Sequence, residues 1–299
     1  MSIPEAQLET WSHQGSIRTS KITADRIKDV LKSDVVLQNR DFELYLQGSY
    51  KNDTNIRGDS DVDVVVQLND TFGMDLTRLD EEDKRLFHQA YPPPTYQWRE
   101  FREDVLNALR ESYGNENIIE GNKSIKIQQI SGYLPADVIV CLHYRKYLYF
   151  ETVSNQSYID GIKFYTLNEE KVINNYPKEH YRNGVEKNSA SHTNSWFKPM
   201  VRVFKNARTY LVDKDILTKE QTPSYFIECL IYNAPDRTFG DSYQNSYRNI
   251  LTWLNQAALP SFNCINKQQK LFGDTPEQWD IPAAQLMIAT WIKLWNEWV

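Results

Sequence analysis

Three aspartates at every second position, Asp59, Asp61 and Asp63, run into the β-branched segment "DVDVVVQL" (61–68), and a Gly-Ser pair, Gly48-Ser49, stands upstream at the end of the run "FELYLQGS", with eleven residues between it and Asp61. Carboxylates two apart on a strand share a face, with Cα atoms about 7 Å apart, while Val62 and Val64 turn to the other side. Two acids on one rigid face can share a divalent cation through hard oxygen ligands. Asp213 and Asp215 repeat the spacing near a helix end, where residues two apart face different ways and cannot form that clamp. An isolated D-x-D is equally a turn with solvated acids. Here a third acid, Asp137, opens another β-rich run, "ADVIVCL", where a partly buried carboxylate is costly unless charge compensates it. Asp59, between Gly58 and Ser60, reads as a loop residue with Asx-type bonding and is left out of the ligand set.

These residues need strands and helices to place them. "FELYLQGS" and "DVDVVVQL" read as strand-like segments around a polar loop, and "KSIKIQQI" (123–130) and "ADVIVCLHY" (136–144) as a second pair across a turn at "SGYLP". Residues 21–32 carry Ile22, Ile27, Val30 and Leu31 at helical spacing. The prolines of "YPPPTY" block a helix until about Trp98, after which Phe101, Val105, Leu106 and Leu109 form a helical stripe. Beyond about residue 165 helical periodicity takes over, at 196–212, 223–233, 242–257 and 284–298. The polar stretch 166–195 is the expected passage between a first domain, 1–165, and a helical second domain, 166–299.

Composition sets the outer limits. A chain of 299 residues, 40% hydrophobic and 25% charged, can bury a large core and is too apolar to be disordered over most of its length. A net charge of −6 disfavours a long nucleic-acid partner. Cys141, Cys229 and Cys264 lack C-x-x-C spacing, so neither a disulfide framework nor a zinc knuckle is expected, and the five histidines show no ligand spacing. With no signal-like amino terminus and no long apolar run, a cytoplasmic protein without membrane attachment is expected.

The arrangement Gly48-Ser49, Asp61-x-Asp63 and Asp137 resembles the DNA polymerase beta-like nucleotidyltransferase superfamily. More narrowly, "QGSYKNDTNIRGDSDVDVVV" and "QLETWSHQGS", with "FKPMVRVFKNAR" and "TPSYFIECLIYN" further on, are similar to the bacterial cGAS/DncV-like nucleotidyltransferases (CD-NTases), clade E. The resemblance implies an α+β fold: a nucleotidyltransferase core with a mixed sheet, a mainly helical second lobe, and the active site in a cleft. It implies that Asp61, Asp63 and Asp137 hold two Mg²⁺ ions, with Mn²⁺ as an alternative, and that Asp137 helps deprotonate a ribose hydroxyl. Gln47, Gly48 and Ser49 would bind nucleotide, the glycine letting backbone approach phosphate.

In the helical half, Lys198, Arg202 and Lys205 form one stripe, which by itself is an ordinary solvated basic face. The resemblance makes Lys205 the lysine that reaches the triphosphate. It also makes Ser224 a nucleotide contact, with a helix N-cap as the plain alternative. The resemblance offers Asn194 as a base-contacting residue, with Asn188 as its competitor and a solvated loop asparagine as the plain alternative to both. Trp291, Leu294, Trp295 and Trp298 form a stripe expected to dock on the same lobe.

The activity implied is condensation of two nucleoside triphosphates into a cyclic dinucleotide, with release of pyrophosphate, by a monomer. In the family such products act on a separate effector in anti-phage (CBASS) signalling. Modification of an RNA end or a protein, synthesis of a linear or cyclic oligonucleotide, and a catalytically silent binding module are the competing expectations.

Overall fold

The valine-rich run after Asp61 forms the axis of a mixed sheet in the computed structural model, which describes residues 2–15, 18–57, 61–130, 132–275 and 277–298, and of Arg18 the backbone alone. Along the chain the helices are α1 (Glu5–Ser12), α2 (Arg18–Ser33), α3 (Gly48–Asn52), α4 (Glu81–Ala90), α5 (Trp98–Tyr113), α6 (Pro177–Lys187), α7 (Phe197–Val212), α8 (Ser224–Tyr232), α9 (Tyr243–Leu254) and α10 (Ile281–Asn296). The strands are β1 (Phe42–Leu46), β2 (Val62–Asp75), β3 (Ile118–Glu120), β4 (Ile125–Ile127), β5 (Ala136–Thr152), β6 (Asn155–Tyr165) and β7 (Val172–Asn175).

Two compact units emerge, and the chain passes between them more than once. The sheet unit comprises Ser16–Tyr50 and Ser60–Lys178; the helical unit comprises Met1–Gly15, Lys51–Asp59 and Glu179–Val299. A single boundary at 165 is therefore not what the structure adopts. Residues 172–175 extend the sheet as β7, paired antiparallel with β6. The amino-terminal segment belongs to the helical unit, because Ile3 and Leu8 are wholly buried in its core.

In the sheet unit the strand order is β1-β2-β5-β4-β3, and β6 extends it by pairing with β5 and β7. β2 and β5 run parallel, while the other pairings are antiparallel. Val62, Val64, Val65, Val66 and Leu68 are wholly buried, consistent with a strand covered on both faces. Ile27 and Leu31 of α2 and Phe101, Val105 and Leu109 of α5 share its core. α5 starts where the prolines end, with Gln97 and Glu100 forming a capping box. α4 escapes the apolar pattern because its burial rests on Phe87, which joins Tyr147 and Phe150 in a separate aromatic cluster.

The helical unit is centred on α7. Phe204 stacks on Tyr247 of α9 at 4.6 Å between ring centroids and meets Trp291 of α10 at 4.8 Å. Trp295 lies against Tyr247, and Trp298 against Trp11 and Tyr210, so the carboxyl-terminal stripe docks on its own unit. The three cysteines are free and buried. No helix among the described residues is long and apolar enough to cross a membrane.

Candidate active site

The parallel register of β2 and β5 decides where the acids stand. Asp63 is directly opposite Asp137, and Lys126 of β4 is opposite Asp137 on its other side. Adjacent strands lie about 4.8 Å apart, so the two acids are neighbours on one face. Asp61 precedes β2 and is exposed, whereas Asp63 and Asp137 are half-buried. Burial pushes the Asp137 carboxyl above its ordinary range; Lys126 and the Ser124 hydroxyl, which donates to Oδ1 at 3.1 Å, pull it down, and the charge of Asp61 adds to the rise. Asp59 lies outside the described residues.

The Gly-Ser turn closes onto the same acids. The Gln47 amide donates to the Asp63 carbonyl at 3.0 Å, bringing the end of β1 alongside the start of β2. Gly48 has φ +66°, and a Cβ there would land on the Asp63 carboxylate. Only glycine meets both conditions, since other residues disfavour this left-handed conformation and none could share that space. α3 begins at Gly48, so the first-turn amides, which lack intrahelical acceptors, include that of Ser49.

Among the described residues, no three or more His, Cys, Asp or Glu side chains are gathered tightly enough to hold a metal ion as they stand. The three acids are adjacent rather than convergent, as like charges favour. Their chemistry nevertheless suits a hard dication: three carboxylates and no soft ligand. Nearby, Gln47 Oε1 is a buried acceptor with no hydrogen-bond partner among the described residues.

On the helical unit the basic stripe of α7 is not a solvated face. Lys198 Nζ binds Asp53 Oδ2 at 2.8 Å, and Arg202 donates to the carbonyls of Ser12 and Asp53. Lys205 is wholly buried, with its ammonium 2.6 Å from Glu228 Oε1 and 3.0 Å from the Thr54 carbonyl. Thr54 Oγ1 donates to Glu228 at 2.7 Å, and His180 Nε2 stands 3.3 Å from its other oxygen. Burial alone would raise the Glu228 carboxyl, yet Lys205 and His180 hold it well below the ordinary carboxylate range. Lys205, which the resemblance makes the triphosphate-reaching lysine, has a wholly buried ammonium with two of its three donors held by Glu228 and Thr54. Its observed role is to anchor the segment that joins α3 to β2.

Ser224 is the first residue of α8, with Pro223 at the cap position, so it is not the N-cap. Its Oγ accepts from Arg208 Nη2 at 2.8 Å, and Arg208 Nη1 donates to the Thr222 carbonyl at 3.1 Å. Ser224, Arg208, Arg57 and Lys219 line a cavity of about 290 Å³. Three cations at a helix N-terminus suit an anion. Sequence reasoning stopped the basic stripe at Lys205, although Arg208 continues it along the same side of α7. Asn194 is exposed in a turn at φ +46°, whereas Asn188 accepts from the Lys198 amide through Oδ1 at 2.9 Å and is occupied at the start of α7.

Two stability measurements follow from these environments. In urea denaturation, Lys205→Met and Glu228→Gln should each lose about 3–5 kcal/mol, and the double variant should lose clearly less than the sum, because each single change strands a buried partner. A Lys205→Met protein of unchanged stability would contradict the ion-pair assignment. Asp137 binds its proton more tightly folded than unfolded, so its contribution falls as pH rises through that raised window. Asp137→Asn should therefore melt at the same or a higher temperature than the wild type at neutral pH in metal-free buffer, and a clear drop would contradict the strained-carboxylate reading.

Residues 24–120 match the nucleotidyltransferase domain, and residues 182–296 match the cGAS/DncV-like nucleotidyltransferase C-terminal helical domain. The chain is 45% identical over 298 residues to the cyclic UMP-AMP synthase of Rhodothermus marinus, covering 100% of this chain and 99% of that one. It is 41% identical over 304 residues to the cyclic nucleotide synthase CdnE01 of Staphylococcus haemolyticus, covering 100% of each. The structure of the Rhodothermus marinus CdnE c-UMP-AMP synthase with Apcpp and Upnpp superposes with a TM-score of 0.89 at 44% identity, covering 99% of this chain and 97% of that one. An Elizabethkingia meningoseptica CdnE cyclic dinucleotide synthase, solved with GTP and Apcpp, gives a TM-score of 0.75 at 29% identity, over 98% of each chain. With both domains matched and relatives this similar over its whole length, the chain is an α+β nucleotidyltransferase of the cGAS/DncV-like family and belongs with its CdnE cyclic nucleotide synthases.

Proposed function

We propose that this enzyme joins two nucleoside triphosphates, one uridine and one adenosine, into a cyclic dinucleotide. The observation that carries the reading is Asp63 and Asp137 standing side by side across the parallel strand pair, with Gly48 moulded against Asp63. The choice of bases rests on the full-length relative named a cyclic UMP-AMP synthase.

Asp61, Asp63 and Asp137 are the residues that would hold Mg²⁺, or Mn²⁺ in its place. Bound there, the metal would offset triphosphate charge and acidify a ribose hydroxyl. Asp137 would accept that hydroxyl's proton. The freed oxygen attacks the α-phosphorus, the bond to the bridging oxygen breaks, and pyrophosphate leaves with the electron pair; a second such attack closes the ring. Gly48 and Ser49 offer backbone donors to phosphate oxygens without a side chain in the way. On the helical unit, Ser224 with Arg57, Arg208 and Lys219 offers donors to a polyphosphate. Asn194 remains our candidate for base contact: it is exposed and its side chain is available. We place the protein in the cytoplasm as a monomer. Its product would switch on a separate effector in anti-phage defence.

Incubation with all four labelled NTPs and Mg²⁺, followed by mass spectrometry, should yield a cyclic species containing UMP and AMP with two pyrophosphates per ring. EDTA or Asp63→Asn should abolish it; absence of any small cyclic product from every NTP pair would defeat the reading. Gly48→Ala should keep the wild-type circular dichroism spectrum yet slow product formation by roughly 10² or more, since misplacement of about 1 Å has that effect. A Gly48→Ala enzyme of wild-type rate would show that the close approach to Asp63 is irrelevant to turnover.

A further inference from the structure

The three prolines of "YPPPTY" are not used by the nucleotidyltransferase site, yet they build something. Pro92, Pro93 and Pro94 form one wall of a cavity of about 750 Å³ in the sheet unit. The opposite side comes from β2, where the ladder with β5 jumps from Leu68↔Leu142 to Phe72↔His143. The residues between bulge out of the sheet, placing Asp70 and Thr71 on the cavity, and bulges commonly re-aim side chains toward sites. Phe72 lies roughly 25–30 Å along β2 from Asp63 at the usual rise per residue, so this cavity is separate from the carboxylates.

The walls are preformed. Phe72 meets Tyr91 edge-on at 5.0 Å, and Tyr91 lies 5.1 Å from Phe87. Thr71 Oγ1 donates to the Tyr96 carbonyl at 2.7 Å, tying the bulge to the far end of the proline segment. Proline rings have little conformational freedom to lose on binding. The volume is that of a site for a small organic molecule, and aromatic walls with few polar groups are the usual lining of such sites.

The polar groups identify the class of occupant. Arg40 lines the cavity with its guanidinium 3.6 Å from the Tyr96 ring centroid. Its Nε is buried and has no hydrogen-bond partner among the described residues. A guanidinium beside an apolar cavity with no carboxylate or carbonyl acceptor among the described residues favours an acid as its partner. Behind the wall, Arg145 stands 4.0 Å from the centroid of Phe72 and adds positive potential. The opposing charge is Asp70, whose carboxylate accepts from the Asp41 amide at 3.2 Å; His88 is also on the lining.

We propose that this cavity binds a small planar aromatic molecule bearing an acidic group, the rings lying among Phe72, Tyr91 and the prolines and the acid meeting Arg40. The bounded volume and the aromatic walls fit a ring system rather than a flat protein surface. Arg40 lines the cavity, and no hydrogen bond from its guanidinium is seen among the described residues, so an acid in the cavity would supply the missing acceptor.

The test compares anilinonaphthalene sulfonate with phenylnaphthylamine, the same ring system without the acid, by fluorescence titration of the full chain. The sulfonate should bind saturably at one site, about tenfold or more tighter than the neutral compound, as a charge-assisted hydrogen bond warrants. Arg40→Met should remove that preference while leaving weak binding of both. Met74→Trp, at an exposed position on the cavity, should block both compounds while preserving the circular dichroism spectrum. Equal binding of the two compounds, a preference that survives Arg40→Met, or no saturable binding to the wild type would each overturn the proposal. So would binding that Met74→Trp leaves intact.

Discussion

Two carboxylates set side by side on adjacent parallel strands are the constraint around which the sheet unit is organised. A pair of ionised acids about 5 Å apart repels by roughly 3 kcal/mol at an effective dielectric constant of about 20. Asp63 and Asp137 bear this because Val62, Val64, Val65 and Val66 anchor β2 in the core, and Ala136 and Val138 anchor β5 beside it. Burial first, and then the charge of Asp61, raise the proton affinity of Asp137 in this setting. Gly48 is its steric counterpart, because the turn can come this close to Asp63 only where no side chain exists.

The second support is a buried ion pair far from the acids in sequence. Lys205 and Glu228, with Thr54 and His180, fix the segment between α3 and β2 onto the helical unit, and Lys198 and Arg202 hold Asp53 beside it. The chain leaves the sheet unit after Tyr50 and returns at Ser60. Asp53 and Thr54, in the segment between α3 and β2, are therefore held by α7 and α8. A basic stripe that looks like a solvated face is instead a row of anchors. Its charges are matched inside the protein.

The legible parts were those where one residue type has one physical reason. The β-branched run marked the strand that carries Asp63, helical periodicity located α5, α7, α8, α9 and α10 to within a few residues, and the Gly-Ser pair marked the turn. Pattern alone did not reveal α1, α4, α6 and β7, because their burial rests on few side chains. Asn183 and His180 of α6 are buried polar residues satisfied by partners distant in sequence, Ile265 and Glu228. Nor could sequence show that Lys205 is inside, since a lysine reads as exposed until its acid is found, and Glu228 lies in another helix. Arg57 and Lys219 join Arg208 only through the folding of the helical unit. The domain boundary was misread because polar residues 166–178 complete the sheet instead of linking domains.

We propose that Asp61, Asp63 and Asp137 act together as ligands for the metal that accompanies a nucleotide. Electron paramagnetic resonance of Mn²⁺, titrated into the protein in the presence of a non-hydrolysable UTP analogue, tests it most directly. The free-ion signal should be quenched stoichiometrically by the wild type and return when either Asp63 or Asp137 is replaced by asparagine in a protein that remains folded. Equal quenching by wild type and both variants would contradict the account.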